Sequence, residues 1–405
     1  MAKYKFIDDF YNGTSDDLAE YSKKRDIETF QTAITRPRTP EDARAIANIY
    51  QFIYRGTYPY KEMEDQEYIY ETFEDPSFVW GLFKTSEDKL VGCFTVVLDY
   101  DTRRGYFRGM MILPEFQHKV NSKKLCLSVI RHAYGKAKGR IDVWYNESRT
   151  AHSKAQYIST TFGCHPYAVF MNKDRFFNRD ESDVLMVAHT RAALQNRSSD
   201  LPLILPEIMP FYRLAQERFS TLGNPMLVSD FFSEKDCERA RLAYPVALTA
   251  STDKFGYQTI KITDSATKAY LTALYTPLAR NIEKIKFTAT EPAVLYRLLH
   301  ALLIFGKKRG VKYVEAFVTA YDPQLQQVAL CLGFEVLGYV PAWEPQKDSW
   351  QVEDRVVFGH FIPIPNSAEL LALIPEAQQI VDIVENNFVQ RQVVVLESQS
   401  NISTS

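Results

Sequence analysis

The chain has 405 residues, 46% of them hydrophobic and 24% charged, with a formal net charge of −2 at pH 7. That length accommodates two domains of ordinary size, and so small a net charge argues against a nucleic-acid or membrane-surface partner. Five scattered cysteines (Cys93, Cys126, Cys164, Cys237, Cys331) lack the spacing of a zinc knuckle or disulfide framework. No metal is therefore expected; with no apolar run near the roughly 20 residues that span a bilayer and a polar, acidic N-terminus, the expected location is cytoplasmic.

Residues 1–30 are charge-rich and are expected to form an N-terminal arm. A first unit, 31–191, opens with a short strand at Thr32–Thr35 and a helix started by Thr39-Pro40-Glu41-Asp42, where proline and acids suit the first turn. Its apolar stripe is Ala43, Ile46, Ala47, Tyr50 and Tyr54. A second helix is expected over about 65–73, then strands over 78–83 and 90–98 and a third over 106–113, ended by Pro114. A polar loop leads to a helix over Ser122–Ala137, with Leu125, Val129, Ile130 and Ala133 inward. A strand over 141–145, with Asp142 facing solvent, a helix over 150–162 and strands over 167–171 and 184–188 complete the unit.

Residues 192–230 read as a proline-containing linker (Pro202, Pro206, Pro210). The second unit, 231–364, is legible only in its later half. A helix is expected over 294–308, a strand over 313–318, a helix over 323–332 and strands over 336–340 and 355–361. Residues 365–405 give one helix over 368–385 and a Ser/Asn-rich tail expected to be disordered.

The two units share a register. Tyr134-Gly135-Lys136-Ala137-Lys138-Gly139 precedes one apolar run, and Phe305-Gly306-Lys307-Lys308-Arg309-Gly310 precedes another. The helical patterns before Gly163 and Gly333 also correspond, at offsets of 310 − 139 = 171 and 333 − 163 = 170. This reads as a tandem duplication, and it predicts an α/β (α+β) protein of two mixed sheets flanked by helices.

The loop Leu113-Pro114-Glu115-Phe116-Gln117-His118-Lys119-Val120-Asn121-Ser122 ends at a helix N-terminus, where outward amides and the helix dipole suit a phosphate. The element order and this loop resemble the GNAT superfamily of N-acetyltransferases. In that family an aliphatic-x-Pro-Glu-aromatic strand end, here Ile112-Leu113-Pro114-Glu115-Phe116, feeds a Gln/Arg-x-x-Gly-x-Gly/Ala loop that binds the pyrophosphate of acyl-CoA. Gln117 matches the first loop position, Val120 stands where the first glycine belongs, and Ser122 is the small residue. Val120 is a departure, because a β-branched residue disfavours positive φ. The family's acidic tyrosine, which protonates the departing thiolate, is replaced here by Ser159.

The resemblance implies acetyl-CoA or another acyl-CoA as co-substrate, held by Ile112, Leu113, Gln117, His118, Lys119, Val120, Asn121 and Ser122. Glu115 and Ser159 are the candidate catalytic residues, and Tyr58 and Tyr60 the candidate lining of the acceptor site. The second unit has Ala329 at the tyrosine position and Thr288-Ala289-Thr290-Glu291-Pro292 in place of the loop, so it is expected to be a degenerate copy packed on the first as a pseudo-dimer. The expected activity is direct acyl transfer to a primary amine of a small molecule. The alternative is a non-catalytic tandem binding or scaffolding protein.

Overall fold

Helix caps and strand alternation set the local structure. In the computed structural model, which describes residues 6–12, 32–219, 222–229, 232–243, 245–346, 349–361 and 371–402, the first long helix begins at a full capping box. The Thr39 side chain accepts from the Asp42 N–H, and the Asp42 carboxylate accepts from the Thr39 N–H at 3.2 Å. The helices are α1 (Ile7–Asn12), α2 (Pro40–Tyr54), α3 (Gln66–Glu71), α4 (Ser122–Ala137), α5 (Lys154–Thr160), α6 (Arg191–Gln195), α7 (Met209–Arg218), α8 (Glu234–Ala243), α9 (Pro292–Lys308), α10 (Pro323–Cys331) and α11 (Pro375–Ile402).

Among the described residues, fourteen strands pair into one continuous mixed sheet, flanked by helices, whose order reads the same from either edge. From one edge come β1 (Thr32–Thr35), β2 (Phe78–Thr85), β3 (Leu90–Asp99) and β4 (Arg104–Ile112), all antiparallel. β4 then runs parallel to β5 (Val143–Arg149), which is followed by β7 (Arg179–His189) and β6 (His165–Phe176). The strands β8 (Leu203–Ile204) and β9 (Met226–Leu227) form a separate pair. From the other edge come β10 (Val246–Thr252), β11 (Gln258–Asp264), β12 (Tyr270–Thr276) and β13 (Asn281–Phe287), then β14 (Tyr313–Thr319) parallel to β13. β16 (Val352–Phe361) and β15 (Glu335–Pro345) complete the half. In each half a long helix, α4 or α9, links the two parallel strands.

The halves meet where β6 pairs antiparallel with β15 at Ala168 and Gly338, positions separated by 338 − 168 = 170. A Cβ on Gly338 would stand 2.2 Å from the Tyr167 carbonyl oxygen, so glycine is what permits this junction. The irregularities also correspond. β6 bulges between Phe170 and Asp174 with Asn172 at φ 56°, and β15 shifts register between Val340 and Glu344 with Ala342 at φ 46°. β4 and β13, the strands before the two long helices, each carry a left-handed residue at a register shift, Gly109 at φ 64° and Lys284 at φ 56°.

Several expectations are corrected. The first half of the second unit, unread in the sequence, is the antiparallel run β10–β13. Asp142 does not face solvent: it is buried and ion-paired to Arg103. The helix expected at 368–385 begins at Pro375 and continues to Ile402 through residues expected to be disordered. Of the expected arm, residues 7–12 are helical; residues 1–5 and 13–30, with 362–370 and 403–405, lie outside the described residues.

Candidate active site

Two neighbouring parallel strands create the first half of the site by separating. β4 and β5 pair only from Arg104 with Val143 to Tyr106 with Tyr145. Beyond that point β4 bulges at Gly109, and no further pairs join the two strands. A Cβ at Gly109 would lie 1.9 Å from the Tyr50 hydroxyl, so both the left-handed backbone and the close approach call for glycine. The wedge so formed ends at Leu113, the 3₁₀ turn Pro114–Phe116 and the loop entering α4.

In that loop the left-handed residue is His118, at φ 66°; Val120 is absent from the positive-φ residues. The sequence-based objection to Val120 therefore fails on conformation: its side chain is half-buried against the core instead. The Gln117, Lys119 and Ser122 amides donate within the loop, and the Asn121 side chain caps α4 by accepting from the Lys124 N–H at 3.1 Å. The amides of His118, Val120 and Asn121 meet no acceptor among the described residues. Together with exposed Lys119, Lys123 and Lys124, this is a donor set suited to a diphosphate. Gln117 is exposed, its amide reaching the Ile112 carbonyl at 3.4 Å.

On the opposite face of the sheet, β-strand alternation aims Tyr106 and Arg108 of β4, and Tyr145, Glu147 and Arg149 of β5, toward the second half. Tyr106 and Tyr145 stack at 4.8 Å. The bulge in β6 accompanies the inward placement of Lys173, whose ammonium lies 2.9 Å from Glu147, 3.4 Å from Glu283 of β13 and 3.2 Å from Glu315 of β14. Asp174 beside it accepts from the Tyr60 hydroxyl at 2.8 Å and from the Asn281 amide at 3.0 Å. Burial would depress the Lys173 ammonium, but Glu147, Glu315 and Glu283 more than offset it and hold it well above the ordinary lysine value. The carboxylates are in the converse position. Burial and their carboxylate neighbours push Asp174 and Glu315 up to about 7 despite Lys173, and burial with Asp174 and Glu147 nearby drives Asp183 well above its usual range.

The second half also reaches the 3₁₀ turn Lys61–Glu64 of the first. The turn between β10 and β11 brings the Tyr257 hydroxyl to Lys61 N–H at 2.6 Å and onto the Glu62 carboxylate, which pairs with Arg108 at 2.6 Å. Arg149 is held separately by Glu181 through two 2.8 Å bonds.

The sequence-chosen residues divide accordingly. Ile112 to Ser122 converge on one loop, as their order required. Tyr60 reaches the acidic face, but Tyr58 is core rather than lining. It is 7% exposed and packed among Tyr50, Tyr54 and Tyr60, with ring centroids at 5.0, 4.5 and 5.7 Å. Glu115 points to solvent from its turn. Ser159 is buried, donating to the Ala155 carbonyl at 2.9 Å and accepting from the Asn146 amide at 2.9 Å, so its proton is committed. Glu147, Lys173, Asp174, Glu283 and Glu315 were missed. Their signal was a charge at an inward position of an apolar strand, as in Tyr313-Val314-Glu315-Ala316-Phe317. No helix among the described residues is long and apolar enough to cross a membrane, and no group of three His, Cys, Asp or Glu among them could hold a metal ion.

A splayed parallel strand pair leads here into a helix N-terminus with outward amides, and residues 43–156 match the model of the family described as "Acetyltransferase (GNAT) family". Among solved structures, the chain is similar to spermidine N-acetyltransferase from Vibrio cholerae in complex with CoA and spermine, at 17% identity over 40% of this chain and 96% of that one, with a TM-score of 0.35. The dodecameric intermediate state of the same Vibrio cholerae enzyme gives 17% identity over 42% and 99%, with a TM-score of 0.33. No curated protein matches the chain.

Proposed function

We propose that the first half transfers an acetyl group from acetyl-CoA to a primary amine of a small molecule, and that the second half is a duplicated copy without cofactor function. The observation that carries this is the wedge between β4 and β5, with diphosphate donors at one end and a carboxylate-lined face beside it. The cofactor supplies a thioester-activated acetyl group. Loop amides of His118, Val120 and Asn121 hold its diphosphate, and Lys119, Lys123 and Lys124 neutralise charge around it. Glu147, at 19% side-chain exposure the most open carboxylate on Lys173, takes the proton from the acceptor ammonium. A C–N bond then forms as the C–S bond breaks, without a covalent enzyme intermediate. Ser159 positions Asn146 rather than serving as an acid, so the departing thiolate takes up the second proton, the one that the newly acylated nitrogen releases.

Duplication is supported by the strand order, the matched bulges and the offset of 170 to 171 between the shared blocks. Loss of cofactor function in the second half is supported by Pro292, which removes an amide at the first turn of α9, and by Glu291, an acid in place of a donor loop. The proposed boundaries are 31–191 and 231–364.

Calorimetry with acetyl-CoA, followed by thiol release with a panel of primary amines, tests the reading. Binding at one site, weakened by Lys123→Glu and Lys124→Glu, is expected. No binding, with no thiol released, would leave the protein a scaffold.

A further inference from the structure

We infer that the second half completes the acceptor site, its Glu283 and Glu315 selecting an organic cation that carries a second positive charge. This rests on the proposed transfer reaction but concerns a different half of the molecule. Three carboxylates, two of them from the second half, lie within 3.4 Å of a single ammonium, that of Lys173, and Asp174 and Asp183 belong to the same electrostatic group. Arg149 at the margin is already committed to Glu181. Buried carboxylates in such excess hold protons, as Asp174 and Glu315 do up to about pH 7, unless another cation joins them, and a bound ammonium takes the place of those protons.

Independent of the charges, polar atoms in the same cluster lack partners. Asn281, 0% exposed, donates through its amide to Asp174 and to the Lys173 carbonyl, so its Oδ1 is held at the cluster, where it meets no hydrogen-bond donor among the described residues. The Tyr313 hydroxyl, also fully buried and unpartnered, belongs to the same electrostatic group as Glu315 and Lys173. Oε2 of Glu315 is 3.2 Å from the Lys173 nitrogen yet outside hydrogen-bond geometry, which leaves that oxygen able to accept another proton donor. Asn281 Oδ1 and a carboxylate are the acceptor pair that an alkylammonium requires.

The rings beside the cluster fit the same ligand. Tyr145 of the first half meets Trp343 of the second edge-on at 5.1 Å, and Trp343 stacks on Phe317 at 5.4 Å. Aromatic faces next to carboxylates recognise organic ammonium groups and their methylene chains. Trp343 already attracts one cation, the Arg104 guanidinium, 4.7 Å from its ring centre. The first half thus presents the reacting amine, and the second half holds the distal one.

The test uses the full chain, acetyl-CoA, and α,ω-diamines of four to eight carbons against monoamines of equal length. The expected result is a kcat/KM at least 10-fold higher for the best diamine. Glu283→Gln and Glu315→Gln should each reduce that ratio at least 5-fold through KM. Equal kcat/KM for both classes in the wild-type protein would overturn the inference while leaving the transfer reaction intact. Should no amine be acetylated, calorimetric titration with the diamines alone still decides it. Binding that is tighter than for the monoamines and weakened by Glu315→Gln supports a composite cation site; no difference refutes it. A circular dichroism melt of each variant establishes that it is folded.

Discussion

Gly109→Ala isolates the bulge that parts β4 from β5. The residue sits at φ 64°, where a side chain costs about 1 kcal/mol relative to glycine. Its new Cβ would lie 1.9 Å from the Tyr50 hydroxyl oxygen and 3.0 Å from the ring carbon bearing it. Tyr50 is 0% exposed and wedged against Tyr58, so it cannot swing into solvent, and overpacking of this kind costs about 1–3 kcal/mol. The expected loss is therefore about 3 kcal/mol in urea unfolding. Tyr50→Phe alone should be close to neutral or stabilising, because its buried hydroxyl meets no partner among the described residues. In the Tyr50→Phe background, Gly109→Ala should cost only about 1–2 kcal/mol, since the nearest contact has been removed. An alanine penalty that is the same in both backgrounds would refute the contact argument. A penalty below about 0.5 kcal/mol would refute the left-handed bulge itself.

Three shorter predictions follow from the site. His118→Gly should raise the affinity for acetyl-CoA or leave it unchanged, because it relieves a left-handed non-glycine residue, whereas Val120→Gly should lower the melting temperature by removing a half-buried side chain; calorimetry and melting distinguish them. Folded Asp174 and Glu315 stay protonated up to about pH 7, well above their ordinary range, so at these two groups the native state binds more protons than the unfolded chain between about pH 4 and 7. Their contribution to stability should then fall as pH rises across that window, opposed by His165 and His189, which burial pushes down to about 4; in a series of melts the wild-type protein should lose stability relative to Glu315→Gln as the pH rises. Cys93, Cys126 and Cys164 are fully buried thiols, Cys93 pushed up to about 12 by burial and the other two higher still. Mass spectrometry after incubation with acetyl-CoA should find none of them acetylated; an acetyl-cysteine needed for turnover would refute direct transfer.

Much of the first unit was legible because its signals are local. The Thr39-Pro40-Glu41-Asp42 cap, the stripe on Ser122–Ala137 and the polar loop after Pro114 each depend on residues within a few positions of one another, and each formed as read. The strands β10–β13 carried a usable signal in the alternation of Ile260 and Ile262, but it lies in a stretch rich in exposed polar residues. The offset of 170 to 171 was visible in two glycine-bounded blocks, yet their residues say nothing about where the blocks meet.

That meeting was decided in three dimensions. Whether Val120 takes positive φ depends on how the loop turns after Phe116, and the turn places the strain on His118. Whether Ser159 can give up a proton depends on the Ala155 carbonyl one helical turn away and on Asn146 from another strand. Tyr58 looked open in sequence because prolines and tyrosines in a short loop commonly line surfaces; rings from α2 and the end of β6 close over it. The acidic cluster is the extreme case. Glu147, Lys173, Glu283 and Glu315 are up to 168 residues apart in the chain, and only the pairing of β6 with β15 brings the two carboxylate-bearing faces together. Sequence determines which side of a strand a charge occupies, since that alternation is local; which charges share one low-dielectric space is a property of the sheet as a whole.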